Sequence, residues 1–208
     1  MTDRRSADCR FIDCRLPIDD RRLRLTIVLC RLKITLMPTP YAQYVGDRDP
    51  ADVLQSSLED YRRTVANLPA ETWRRPWSPG KWTVRQILVH VAQWEQILGV
   101  RFRGGLFVPN YVAQPWNQDD LVREFEAVDG PTALAAFIGV RQMTLALARS
   151  LSAAELAQTF QHPERGAIDA RDVLVTIAGH GVHHFEQIKQ TVQSGFSVQD
   201  SRRANPEP

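Results

Sequence analysis

Residues 179–188 read Gly-His-Gly-Val-His-His-Phe-Glu-Gln-Ile and hold three of the chain's five histidines, His180, His183 and His184. An α-helix turns once every 3.6 residues, so His180 and His184 stand one above the other on it. Projected at ~100° per residue, Val173, Ile177, His180, His184 and Ile188 share one continuous arc. On the same projection His183 sits roughly 60° toward the polar side. Two imidazoles therefore lie on an apolar, core-facing stripe, where a polar ring must find a partner or destabilise the fold.

Working outward, the same period recurs along the chain. Leu54, Leu58, Tyr61, Val65 and Leu68 follow at spacings of four and three, the stripe of an amphipathic helix. Thr83 and Gln86 form a capping-box signal ahead of a second helix carrying Val84, Ile87, Leu88, Val91, Trp94 and Leu98, with an end near Gly104-Gly105. Asp129-Gly130-Pro131 opens a third, along Leu134, Ile138, Leu145 and Ala148. The last is expected from Asp169 to about Gln193. A short helix is expected over 119–127 and a capped turn at Ser152 and Glu155. Residues 106–118 and 162–166 read as loops, and no β pattern stands out. The expected fold is all-α, an up-down four-helix bundle with short extra helices.

The chain has 208 residues, enough for one buried core without demanding two. Residues 1–37 carry nine basic and five acidic residues, a net of +4, and the remainder nets −2. A slightly acidic globular part lacks the basic footprint of a nucleic-acid binder, so nucleic acid is not an expected partner. No stretch reaches the ~20 uninterrupted apolar residues of a membrane span, and no secretory signal is evident. No membrane association is expected, and the expected location is cytoplasmic. Cys9, Cys14 and Cys30 all fall early, at spacings that match neither a zinc ribbon nor a disulfide framework. Residues 1–36 are rich in Arg and without sustained periodicity; they read as a disordered or mis-annotated leader, with Met37 as the natural start. A domain over 37–195 and a flexible tail over 196–208 complete the expected organisation.

Spacing i, i+4 lets two imidazoles of one helix reach one metal ion. His90 flanks the apolar stripe of the second helix and qualifies as a third ligand, since bundle metal sites are built from inward side chains on facing helices. Spacing alone leaves open hydrogen-bonded core histidines instead. Glu95 and Glu186 are candidates to orient a ligand imidazole, against the commoner role of solvated helix-surface charges. Lys81 and Arg85 are candidates to attract an anionic cosubstrate, against the commoner role of helix-entry and surface charges. Trp82 and Trp94 read as core, Trp116 and Asn117 as candidates for the site mouth, His162 as an exposed loop residue, and His183 as a polar neighbour of the pair.

The chain resembles the DinB-like/YfiT-like superfamily of metal-binding four-helix bundles. The likeness rests on MPTPY at 37–41, SPGKWTVRQILVH at 78–90, QPWNQD at 114–119 and GHGVHHFEQI at 179–188. It implies His90, His180 and His184 as metal ligands, Zn or Ni as the divalent metal, and frequent homodimerisation. Three neutral ligands leave an open coordination position, as in catalytic sites. That position suits a water of lowered pKa or a thiol held as thiolate. The resemblance favours the second: a transferase using a low-molecular-weight thiol on a small-molecule electrophile. A metal-dependent hydrolase and a non-catalytic ligand-binding bundle are the alternatives. No catalytic side chain is assigned.

Overall fold

The protein, here a computed structural model, is described over residues 39–203. The expected leader over 1–36, with its three cysteines, lies outside the described residues, as do Met37, Pro38 and 204–208. Four long helices form the body: α1 (Pro50–Val65), α2 (Val84–Phe107), α4 (Gly130–Ser150) and α6 (Ala170–Arg203). Two four-residue helices, α3 (Glu124–Ala127) and α5 (Ala153–Leu156), lie between them. Strands β1 (Thr159–His162) and β2 (Gly166–Asp169) precede α6.

Each long helix begins where side-chain chemistry satisfies its free N–H groups. Asp49 accepts from Ala51 N, with Pro50 opening α1. Thr83 and Gln86 complete the expected reciprocal cap of α2, and Asp129 accepts from Thr132 N ahead of α4. Asp169 Oδ1 accepts from Asp172 N at 2.7 Å in the first turn of α6. α2 ends at Phe107, just past its predicted glycines, and α6 continues beyond Gln193. The short helix expected over 119–127 splits into a 3-10 turn, Gln118–Leu121, followed by α3.

The four-helix bundle predicted from periodicity is present, with an order that periodicity does not reveal. α2 packs against α4 and α6, and α1 packs against the same two. Helices α1 and α2 therefore lie diagonally across the bundle, as do α4 and α6. Diagonal placement of α1 and α2 lets the α2–α6 seam carry inward residues of both helices, and the histidines lie on that seam. By length and composition alone α4 is apolar enough to cross a membrane, with a mean hydropathy of 1.2 over 18 residues. Its buried side, including the wholly buried Arg141, faces α1 and α2.

A guanidinium ties all four long helices together. Arg141 of α4 donates to both oxygens of Glu95 on α2, at 2.6 and 2.7 Å, to Ser57 Oγ of α1 at 2.8 Å, and to the Ile177 carbonyl of α6 at 3.4 Å. Beside it, Tyr61 of α1 donates to the Gly181 carbonyl at 3.0 Å. A Cβ on Gly181 would stand 2.7 Å from Arg141 Nη2, so only glycine lets α6 come this close. Gly179 plays the same part for the 3-10 turn Ala42–Tyr44, since a Cβ there would meet the Tyr41 carbonyl at 2.3 Å.

The two strands correct the expectation that no β pattern is present, within a fold that is otherwise helical as expected. Phe160 pairs with Ile168 and His162 with Gly166 in an antiparallel hairpin, whose buried alternate residues, Phe160 and Ile168, face the core. Gly166 takes φ 72°, the left-handed backbone that closes the turn. The chain at 111–113 runs along the free edge of β1, with Ala113 N donating to the Gln161 carbonyl and Gln161 N to that of Tyr111. The hairpin thus anchors the loop carrying Trp116.

Candidate metal centre

His90 comes from the middle of α2, and His180 and His184 from successive turns of α6, where the two helices pack face to face. All three rings are buried, at 4%, 5% and 6% exposure. Their centroids lie 4.5 to 5.1 Å apart, and one ring nitrogen from each falls within 4.8 Å of the others. His90 Nε2 stands 3.2 Å from His180 Nε2. Two imidazole nitrogens sharing a tetrahedral zinc at ~2.0–2.1 Å would be about 3.3 Å apart, so this separation fits two donors to one cation. The three histidines read from the sequence are thus brought together.

Electrostatics favour neutral rings with free lone pairs. Burial, reinforced by the neighbouring imidazoles His184 and His183, lowers the His90 pKa to about 3. Burial lowers that of His184 to about 4 against the opposing bond to Gln187. His180 is driven well below its ordinary value by burial, then by His184, His90 and Arg141. Neutral imidazole is the form that binds a metal.

The surroundings hold the rings in place. Gln187 Oε1 accepts from His184 Nδ1 at 2.9 Å, which puts the ring proton there and leaves Nε2 for the cluster. Gln187 Nε2 lies 3.4 Å from His183 Nε2, and His183 Nδ1 lies 2.7 Å from the Tyr44 hydroxyl. His183 is therefore the expected polar neighbour, joined to His184 through a glutamine that spacing did not single out. The Tyr41 ring meets His180 edge-on at 5.1 Å, and Trp82 lies 4.8 Å from His90.

Other expected contributors lie elsewhere. Glu95 is neither a solvated surface charge nor a partner of a ligand histidine: it is buried and committed to Arg141. Glu186 pairs with Lys189. Lys81 is exposed, and Arg85 bonds the Val128 carbonyl and pairs with Glu126. Asn117 caps the turn after it by accepting from Asp119 N. His162 corrects its reading as an exposed loop residue. It is 8% exposed at the end of β1, and its Nδ1 accepts from the backbone of Glu164 and Arg165.

A cavity of about 190 Å³ opens beside the cluster. His90 and His180 line its inner end, with Trp94, Leu98, Arg101 and Trp116 along its wall. Trp94, read as core, is thus part of a pocket wall, and Trp116 lies at the mouth as predicted. Among the described residues, Thr39 and Thr176 are the hydroxyl side chains other than Tyr41 on this lining, and no cysteine or lysine is on it.

Comparison with known proteins agrees with this architecture. The sequence model of the DinB superfamily matches residues 54–188. A protein of Oceanobacillus iheyensis, provisionally named a metal-dependent hydrolase, is 27% identical over 138 residues, covering 64% of this chain and 80% of that protein. A Bacillus mycoides protein provisionally given the same activity is 28% identical over 129 residues, 61% of this chain and 73% of its own. Among solved structures, YfiT from Bacillus subtilis is similar with a TM-score of 0.63 and 22% identity, over 70% of this chain and 85% of that one. YfiT is described as a four-helix bundle of unusual topology. The mycothiol-dependent maleylpyruvate isomerase is similar in fold, with a TM-score of 0.56 and 10% identity over 72% of this chain and 61% of its own.

Proposed function

Since the chain belongs to the DinB superfamily, we propose that it is a metal-dependent enzyme whose divalent ion is held by His90, His180 and His184. The observation that carries this reading is the convergence of three buried, neutral imidazoles at the inner end of an open cavity. Three buried rings of low pKa with their nitrogens in mutual reach make a poor packing solution and a good ligand set. When bound, such an ion supplies Lewis acidity at an open coordination position.

This chain's own residues do the rest. Gln187 fixes the His184 ring and its proton, and Tyr41 and Trp82 brace His180 and His90. The apolar wall at Trp94 and Leu98 limits water beside the reacting group. Among the described residues neither cysteine nor lysine lines the cavity, and in this reading the nucleophile is water or a small-molecule thiol. Water makes the protein a hydrolase, the activity in the names of its curated relatives, and we take this as the first reading. A low-molecular-weight thiol makes it a transferase, the outcome implied by the family resemblance. Zn and Ni both suit neutral imidazoles.

Zinc- or nickel-loaded protein should turn over small electrophiles, with activity lost in His180→Ala. Turnover in buffer alone supports the hydrolase; turnover only with mycothiol, bacillithiol or glutathione supports the transferase. A loaded protein that binds ligands but turns over none in either condition would mean a non-catalytic bundle. A homodimer, implied by the resemblance, belongs to the same proposal and is tested by sedimentation.

A further inference from the structure

Arg101 is an unusual group to find in the wall of this cavity. It lies on α2, three turns beyond His90, and is 8% exposed. Its Nη2 donates to the Gln114 carbonyl at 2.8 Å, while its Nε is buried with no hydrogen-bond partner among the described residues. Trp94 Nε1, on the same wall, is likewise buried and unpartnered. A buried donor left unsatisfied costs roughly 1–3 kcal/mol, more when the group is charged, so such donors point to something that binds them.

The charges around Arg101 do not neutralise it. Arg165, the other arginine among the described residues on the lining, is held bidentately by Asp172 at 2.7 and 2.8 Å. Glu164 also lines the cavity, beyond ion-pair distance of Arg101. Burial lowers the Arg101 pKa, and Tyr111 and Glu164 oppose this only in part. A guanidinium remains cationic at neutral pH nonetheless.

Resting on the metal reading above, we propose that the cavity takes an elongated anionic substrate: a carboxylate on an apolar or aromatic body. The carboxylate sits on Arg101, the body lies against Trp94 and Trp116, and the reactive end reaches His90 and His180. Length follows from the side chains: Arg101 Cζ lies 5.9 Å from the Trp94 ring, which lies 6.2 Å from the rings of both His90 and His180, so the body spans one tryptophan between cation and imidazoles. A carboxylate fits better than a phosphoryl group because, among the described residues, a single guanidinium without an ion pair meets it, not a cluster.

The test is calorimetric titration of the full-length chain, metal-loaded and metal-stripped, with 4-phenylbutyrate, its neutral amide and the corresponding phosphonate. The carboxylate should bind about tenfold or more tighter than the amide, the increment of a charged hydrogen bond. That preference should persist without metal, fall toward unity in Arg101→Gln, and survive in part in Arg101→Lys. The wild-type comparison needs no variant, so it stands even if a substitution fails to fold. Equal binding of carboxylate and amide, a preference untouched in Arg101→Gln, or tighter binding of the phosphonate overturns the proposal. The metal reading is judged separately, on bound metal per chain.

Discussion

Removing Glu95 should be among the most damaging single changes in the bundle. Its carboxylate is 2% exposed and takes two short hydrogen bonds from Arg141, whose side chain is wholly buried. Glu95→Ala leaves that guanidinium with Ser57 and a long bond to a carbonyl, over the face of Phe137 at 4.8 Å. Breaking a buried pair from one side costs about 3–5 kcal/mol, a third or more of the stability of many domains. Replacing both partners, as Glu95→Leu with Arg141→Met, removes the stranded charge and should be neutral or stabilising by up to ~4 kcal/mol. Urea unfolding followed by circular dichroism on metal-stripped protein gives each value without the added stabilisation of a bound ligand. A loss below about 1 kcal/mol in Glu95→Ala would refute the reasoning, because it would mean that water reaches Arg141 and the four helices do not close on it.

Three further outcomes follow from the same geometry. The metal-free protein should lose stability as pH falls from 6.5 toward 4: the folded imidazoles have lowered pKa values, so the unfolded chain takes up protons first. His184 alone, going from its ordinary 6.5 to about 4, contributes on the order of 3 kcal/mol to that loss; urea titrations at pH 7, 5.5 and 4.5 that overlie one another would contradict it. Gln187→Ala should weaken metal binding about 10–100-fold without changing the number of ions bound at saturation, measured by chelator competition. Gly181→Ala should destabilise the fold by about 1–3 kcal/mol, since its Cβ would press on a guanidinium that cannot retreat; an unchanged unfolding midpoint would argue against the close approach.

How much of this was legible depended on the range of the interaction. The His180–His184 pair sits on one helix, and a 3.6-residue period is enough to place both rings on the core side. His90 joins them only through the packing of α2 on α6, which no local pattern encodes; the family resemblance supplied it. Glu95 was misread for the same reason, because its partner Arg141 lies 46 residues away. The hairpin escaped because strands of four residues offer too few alternations to stand out from loop, and with it went His162, whose burial depends on that hairpin. The diagonal placement of α1 and α2 is likewise a property of packing, since amphipathic stripes show that helices bury a face and not which neighbour covers it.

The most direct test of the central claim is metal analysis of the protein purified without a histidine tag and loaded with Zn²⁺ or Ni²⁺. One divalent ion per chain should remain after gel filtration in the wild type, and His90→Ala, His180→Ala and His184→Ala should each lose it while keeping their helical spectra. A wild-type protein that retains no metal, or a His180→Ala variant that retains a full equivalent, would contradict the account.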